Sequence, residues 1–290
     1  MQKETRMPVV VWAVDPHDQD GMPSHSSLEA LRNYRVIPVA ILENDKETNF
    51  EQLKSYLNSC NVSRLEPPII LKGHPKKSDW PDQLHAFALE HQAELIALTT
   101  HGRTGIARLF LGSFAERLLD RSYIPILFLS KEELSLSTSH RAIFATDFTI
   151  QSKKAFQTFL KFAKHSINEV IIYHANPIPL QTMAAAEIAG VPDLYPENHN
   201  GEDAATAHLW RDELSATEPG IHLQGMINGN CTSIARGILE TCAKDKIGVI
   251  GITAEKSLLE KSIFGSVAEE LFRHQTGLVW VSNSRINEIR

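Results

Sequence analysis

Two apolar patterns alternate along the chain. Short unbroken apolar runs, rich in branched side chains, are separated by longer stretches whose apolar residues recur every three or four positions. Val9-Val10-Val11-Trp12-Ala13-Val14 is the first run, and it stops at Asp15-Pro16. A run that is apolar at every position predicts a strand covered on both faces, as in a parallel sheet. Further strands are predicted at 36–42, 68–71, 95–99 and 124–129. Helices are predicted near 26–34, 50–57, 81–91 and 113–121; in the third, Leu84, Phe87, Ala88 and His91 fall on one face. After residue 140 the order restarts, with strands at 142–146, 169–173, 222–226, 248–253 and 278–281 and helices at 152–165, 233–244 and 266–273. Strands alternating with helices predict an α/β fold with a parallel, doubly wound sheet in each half.

A polar, Ser-rich stretch, Lys131 to His140, suits a linker. The expected division is a first domain over 1–131, a linker over 132–140 and a second domain over 141–290. The halves also repeat in detail. Leu111-Gly112-Ser113-Phe114-Ala115-Glu116 reappears as Phe264-Gly265-Ser266-Val267-Ala268-Glu269, each time followed by an apolar strand that ends in Ser. Asp147, closing the strand at 142–146, corresponds to Asp15. The chain reads as an internal duplication. The second half carries an insertion around 177–201, with Met183 to Glu187 as a short helical stretch; a lid, an interface element and neither of these are all open readings of it.

In the first half, the strand at 95–99 enters a loop containing Gly102, Gly105 and Gly112, and a helix opens at Ser113. Glycines allow close backbone approach, and the first amides of a helix are unpaired donors, so this order of elements suits an anion such as phosphate. Ser113 with Glu116, and Ser266 with Glu269, also read as capping boxes, which by themselves account for the repeat. Asp15 leaves a strand at the edge where such sheets hold ligands. It suits a ribose hydroxyl, with an Asx turn as the bland alternative, and for Asp147 the turn is the better reading. Arg103 and Arg108 are candidate phosphate partners, although loop arginines commonly face solvent. His101 has no nucleophile beside it in sequence and reads as a loop residue.

Composition narrows the function. At 290 residues and 42% hydrophobic content, the chain has material for two ordinary cores. A formal charge of -6 without a Lys/Arg block gives no electrostatic case for nucleic acid. Three cysteines without C-x-x-C spacing argue against a disulfide framework or a zinc site. The apolar run at 9–14 is too short for a signal segment or a membrane span, so a cytoplasmic location is expected. Walker, dinucleotide and nucleophile-elbow motifs are all missing.

The sequence Thr-His-Gly-Arg-Thr-Gly-Ile-Ala-Arg-Leu-Phe-Leu-Gly-Ser over 100–113, with Asp15 closing the first strand, resembles the universal stress protein family in its tandem form. The family loop reads Gly-x2-Gly-x9-Gly-(Ser/Thr); here Thr99 stands at the first glycine, and Gly102, Gly112 and Ser113 match the rest. The resemblance implies a five-stranded, mainly parallel sheet per domain, with the last strands pairing within the chain and association into a homodimer as a further option. It implies a stress-response role and adenine nucleotide, ATP with Mg, as the ligand. The implied nucleotide-binding positions are Asp15, Leu42, Thr99, Gly102, Arg103, Gly105, Gly112, Ser113 and Phe114.

The second loop, 253–264, has no glycine before Gly265, and a gapless count puts Glu255 in the place of Gly102, where a carboxylate would repel phosphate. The second half is therefore expected to keep the fold without the site. The reading is a binding module rather than an enzyme, with slow ATP hydrolysis left open. The alternatives are a scaffold of the same fold that binds no nucleotide, and a nucleotide-dependent transferase or ligase.

Overall fold

The computed structural model describes residues 6–15, 23–43, 47–60, 62, 64–99, 113–131, 140–177, 198–229, 231–254, 266–274 and 277–283. The first half runs β1 (Val9–Ala13), α1 (His25–Glu29), β2 (Arg35–Leu42), α2 (Glu47–Ser59), β3 (Ile69–Lys72), α3 (Trp80–Glu90), β4 (Leu95–Thr99), α4 (Ser113–Arg121), β5 (Ile126–Leu129). The second runs β6 (Arg141–Ala145), α5 (Ile150–Ala163), β7 (Glu169–Ala175), α6 (Asn198–Ser215), β8 (His222–Asn228), α7 (Ile234–Asp245), β9 (Val249–Ala254), α8 (Ser266–Arg273), β10 (Leu278–Asn283). Helix α6 is absent from the periodicity reading, and the stretch Met183 to Glu187 lies outside the described residues. Among the described residues, no helix is long and apolar enough to cross a membrane.

The ten strands among the described residues form one sheet, in the order β3-β2-β1-β4-β5-β10-β9-β6-β7-β8. Within each half the pairs are parallel; β5 and β10 pair antiparallel. The seam is centred on Leu127 opposite Trp280, flanked by Ile126 opposite Val281 and Phe128 opposite Val279. Counting forward without gaps from Ser113 and Ser266 brings Leu127 and Trp280 into register. The repeat therefore pairs with itself about a local two-fold axis. Because the halves run in opposite directions, their carboxyl edges lie at opposite ends of the sheet.

Alternation along each strand sends side chains to two cores. One face packs Leu31, Leu53, Phe156, Phe159 and Trp210 against Trp12, Leu127, Phe144 and Trp280. The other packs Leu84, Leu118, Ile238 and Leu271 against Val11, Ile96, Phe128 and Val281. Across the first face, one lateral row reads Trp12, Ala97, Leu127, Trp280, Gly251, Phe144, Ile172, Gly225. Small residues sit beside the large ones for steric reasons. A Cβ on Gly251 would lie 2.7 Å from the Phe144 ring and 2.9 Å from that of Phe159. One on Gly225 would meet the Ala207 methyl of α6 at 3.0 Å.

Side chains from both halves close the seam. Asn283 Nδ2 donates to the Leu119 carbonyl at 2.6 Å and to that of Asp120 at 3.2 Å, both in the last turn of α4. Phe128 meets Phe272 edge-on at 4.7 Å. Tyr34 packs edge-on against His165 at 5.1 Å, and Asn33 Nδ2 donates to the His165 carbonyl. Burial, then Lys164, push the His165 imidazole below its usual range, against the opposing pull of Glu94 and Glu218. Burial also lowers His85, whose Nε2 accepts from the Tyr123 amide at 3.2 Å.

Two outcomes are expected. Gly251→Val should destabilise the protein by about 1–3 kcal/mol through overpacking, read from urea unfolding. Both histidines bind their proton more weakly when folded, so their contribution is intact above the ordinary imidazole value of 6.5 and is lost as pH falls from there through the lower folded value. The midpoint of unfolding should therefore drop on acidification below about pH 6.5, and the drop should be smaller in His165→Asn.

Candidate functional site

Three of the sequence-derived positions converge at the carboxyl edge of the first half because β2, β1 and β4 are neighbours there. Ala13 is in register with Val39 of β2 and Leu98 of β4. Asp15, Leu42 and Thr99 all lie within a few residues beyond that row. Asp15 is exposed, Leu42 is buried at the end of β2, and Thr99 is half-buried at the end of β4. Helix α4 opens at the same edge with exposed Ser113 and with Phe114 packed on the second core. Gly102, Arg103, Gly105 and Gly112, together with His101 and Arg108, lie outside the described residues. Among the described residues, no group of three or more His, Cys, Asp and Glu side chains is placed to hold a metal.

Two supports at this edge went unread in the sequence. Ser24 donates its amide to the Ser130 carbonyl at 2.9 Å, and the Ser27 hydroxyl donates to the same oxygen at 2.8 Å. Ser24 Oγ meanwhile accepts from the Ser27 amide at 3.2 Å, capping α1. The start of α1 is thereby anchored to the residue that follows β5. The helix read near 26–34 carried no sign of this partner across the sheet. At the other side of the edge, the Gly73 amide donates to the Leu42 carbonyl at 2.7 Å, and the Trp80 indole lies where a Gly73 Cβ would be, 2.7 Å from its ring atoms.

Helices α4 and α8 begin at Ser113 and Ser266, and the residues before them lie outside the described residues. Glu116 is half-buried; its burial, and behind that Glu269, hold its carboxyl above the usual carboxylate range.

The second half builds its corresponding edge differently. Asp147 Oδ1 accepts from the Thr149 amide at 3.0 Å and from the Thr149 hydroxyl at 2.8 Å, an Asx turn. Phe148 then takes φ 60, an unusual value for a bulky residue, and stacks on His174 at 4.9 Å. Strand register puts Asn176 in the place of Leu42. Asn176 Nδ2 donates to Asp203 Oδ2 of α6 at 2.7 Å. Register also puts Thr253 in the place of Thr99, which leaves the connection to Ser266 one residue shorter than that from Thr99 to Ser113. Counted forward from the strands, Lys256 rather than Glu255 takes the place of Gly102, so the repulsion argument built on Glu255 holds only for the count back from Gly265.

The universal stress protein family model matches twice, over residues 38–130 and 138–282. The chain belongs to the universal stress protein family. A universal stress protein of Methanocaldococcus jannaschii is 26% identical over 121 residues, which cover 42% of this chain and 63% of that relative. The matched segment thus spans less than two thirds of that relative's length. Among solved structures, a universal stress protein from Archaeoglobus fulgidus aligns with a TM-score of 0.59 and 16% identity over 94% of this chain and 96% of its own. A functionally unknown protein of Pseudomonas aeruginosa does so at 0.59 and 13%, over 97% and 94%. These likenesses concern the fold, and they extend over both halves of this universal stress protein.

The anchoring of α1 makes a test. Ser27→Ala leaves the Ser130 carbonyl one donor short and should cost about 1 kcal/mol in chemical denaturation, with faster amide exchange at 24–28 than in β6 or β7 as the local signature.

Proposed function

We propose that this universal stress protein acts in a stress response by binding ATP or a related adenine nucleotide at the carboxyl edge of its first half, residues 1–131. Its second half, 141–290, keeps the fold and holds no nucleotide. In this reading Asp15 bonds ribose hydroxyls, Leu42 lies against the base, and the loop from Thr99 through Gly102, Arg103, Gly105 and Gly112 to Ser113 and Phe114 receives the phosphates. A bound Mg ion would neutralise part of the triphosphate charge. The protein is then a cytoplasmic binding module.

The observation that carries the proposal is the difference between the two edges. An exposed Asp15 stands beside the apolar end of β2 in the first half. In the second, the strand-end position of Leu42 is held by Asn176, whose side chain is bonded to Asp203 of α6. The residues on the first edge suit the ligand chemically: a carboxylate for hydroxyl groups, an apolar wall for a base, and the N-terminus of a nine-residue helix for phosphate.

Thermal unfolding with millimolar ATP tests this directly. A ligand present at a hundredfold its Kd stabilises by about 2.7 kcal/mol, which for a protein of this size raises Tm by several degrees. Gly112→Asp should remove the shift, and Gly265→Asp should leave it intact. A flat response in the wild-type chain, or loss of the shift in Gly265→Asp alone, overturns the proposal.

A further inference from the structure

Helix α6 is held over the second edge by a chain of polar contacts that has a definite direction. His174 Nδ1 lies 2.7 Å from the Thr146 carbonyl oxygen, which can only accept, so this nitrogen carries a proton. His174 Nε2 lies 3.0 Å from Asn176 Oδ1 and 3.6 Å from Asp203 Oδ2. Asn176 has its amide nitrogen on Asp203 Oδ2 at 2.7 Å, which turns its oxygen toward the ring. Both ring nitrogens therefore face oxygen. The set is satisfied when both carry protons, with the imidazolium donating to Thr146 and Asn176, and Asn176 donating to the Asp203 carboxylate.

We propose that this set is a proton-dependent latch on α6. When His174 loses its second proton, Nε2 becomes an acceptor, and the Asn176 amide must turn over to donate to it. That turn presents Asn176 Oδ1 to the Asp203 carboxylate, acceptor against acceptor, and removes the bond that holds the start of α6 to β7. Among the described residues, the charged groups on the elements packed there include Asp147 at the end of β6, Lys153 and Lys154 on α5, and Glu202, Arg211, Asp212 and Glu213 on α6. Asp147 accepts from Thr149, Lys153 pairs with Glu213 at 2.5 Å, and Arg211 pairs with Asp212 at 2.8 Å. Asp203 is the carboxylate found paired with the ring among the described residues. Further along α6, Trp210 packs against Phe148 at 5.3 Å and Phe156 at 6.0 Å. Those contacts are independent of the proton, so release begins at the end that carries Asp203.

Amide exchange of the full chain, corrected for the intrinsic rate and followed across pH 5–8, where imidazole ordinarily titrates, tests the latch. Protection at the Asp203 end of α6 should fall by about tenfold in total as pH rises over that range, within the tenfold per pH unit that one linked proton can supply, while β6 and β7 stay flat. Asp203→Asn supplies an amide that can meet either orientation of Asn176 and should abolish the pH dependence. His174→Phe should do the same, and if that variant fails to fold, Asp203→Asn still decides. Nitrogen-15 spectra of the ring give a separate reading, with both nitrogens protonated while α6 is protected. A neutral ring under a protected α6, or the same pH profile in wild type and Asp203→Asn, overturns the latch.

Discussion

The antiparallel pairing of β5 with β10 is the constraint from which the rest of the architecture follows. Each half alone would end in an apolar strand with one unpaired edge, a poor state for a buried segment. Setting Leu127 against Trp280 joins ten strands into one sheet and makes both cores continuous across the seam. It also fixes the direction of the halves, sending their carboxyl edges to opposite ends. The two candidate sites are thereby separated by the width of the molecule's own core and are free to differ.

They do differ, by ordinary means. The first edge keeps an exposed carboxylate at Asp15 and an apolar strand end at Leu42. The second spends the equivalent aspartate on an Asx turn, accepts a positive φ at Phe148, and places Asn176 where the leucine would be. Helix α6 then reaches the strand end through Asp203. The strand-end position that is a leucine in the first half has in this way become an internal contact with α6 in the second.

Much of the fold was legible because the two patterns are clean. The unbroken run Val9 to Val14 and the amphipathic spacing of 152–165 translate directly into strand and helix. Helix α6 escaped because its apolar residues form no single stripe: Ala207, Trp210 and Leu214 are buried, while Leu209 is 67% exposed. At the site, the strand-end positions Asp15, Leu42 and Thr99 were readable, since parallel strands in a doubly wound order must end together. The set His174, Asn176 and Asp203 was not, because its members come from a strand, the residue just beyond it, and a helix that periodicity missed. The serine pair at α1 was not read either, because its acceptor on Ser130 is set by sheet order alone.

The central claim is that nucleotide binds at one edge only, and a titration of the labelled protein with ATP, followed by NMR, examines both edges at once. The account predicts that the Leu42 methyl resonances and the Ser113 amide shift in saturable fashion, while the side-chain amide of Asn176 stays in place. Movement of Asn176 with Leu42 unmoved, or no saturable movement at either edge, would contradict it.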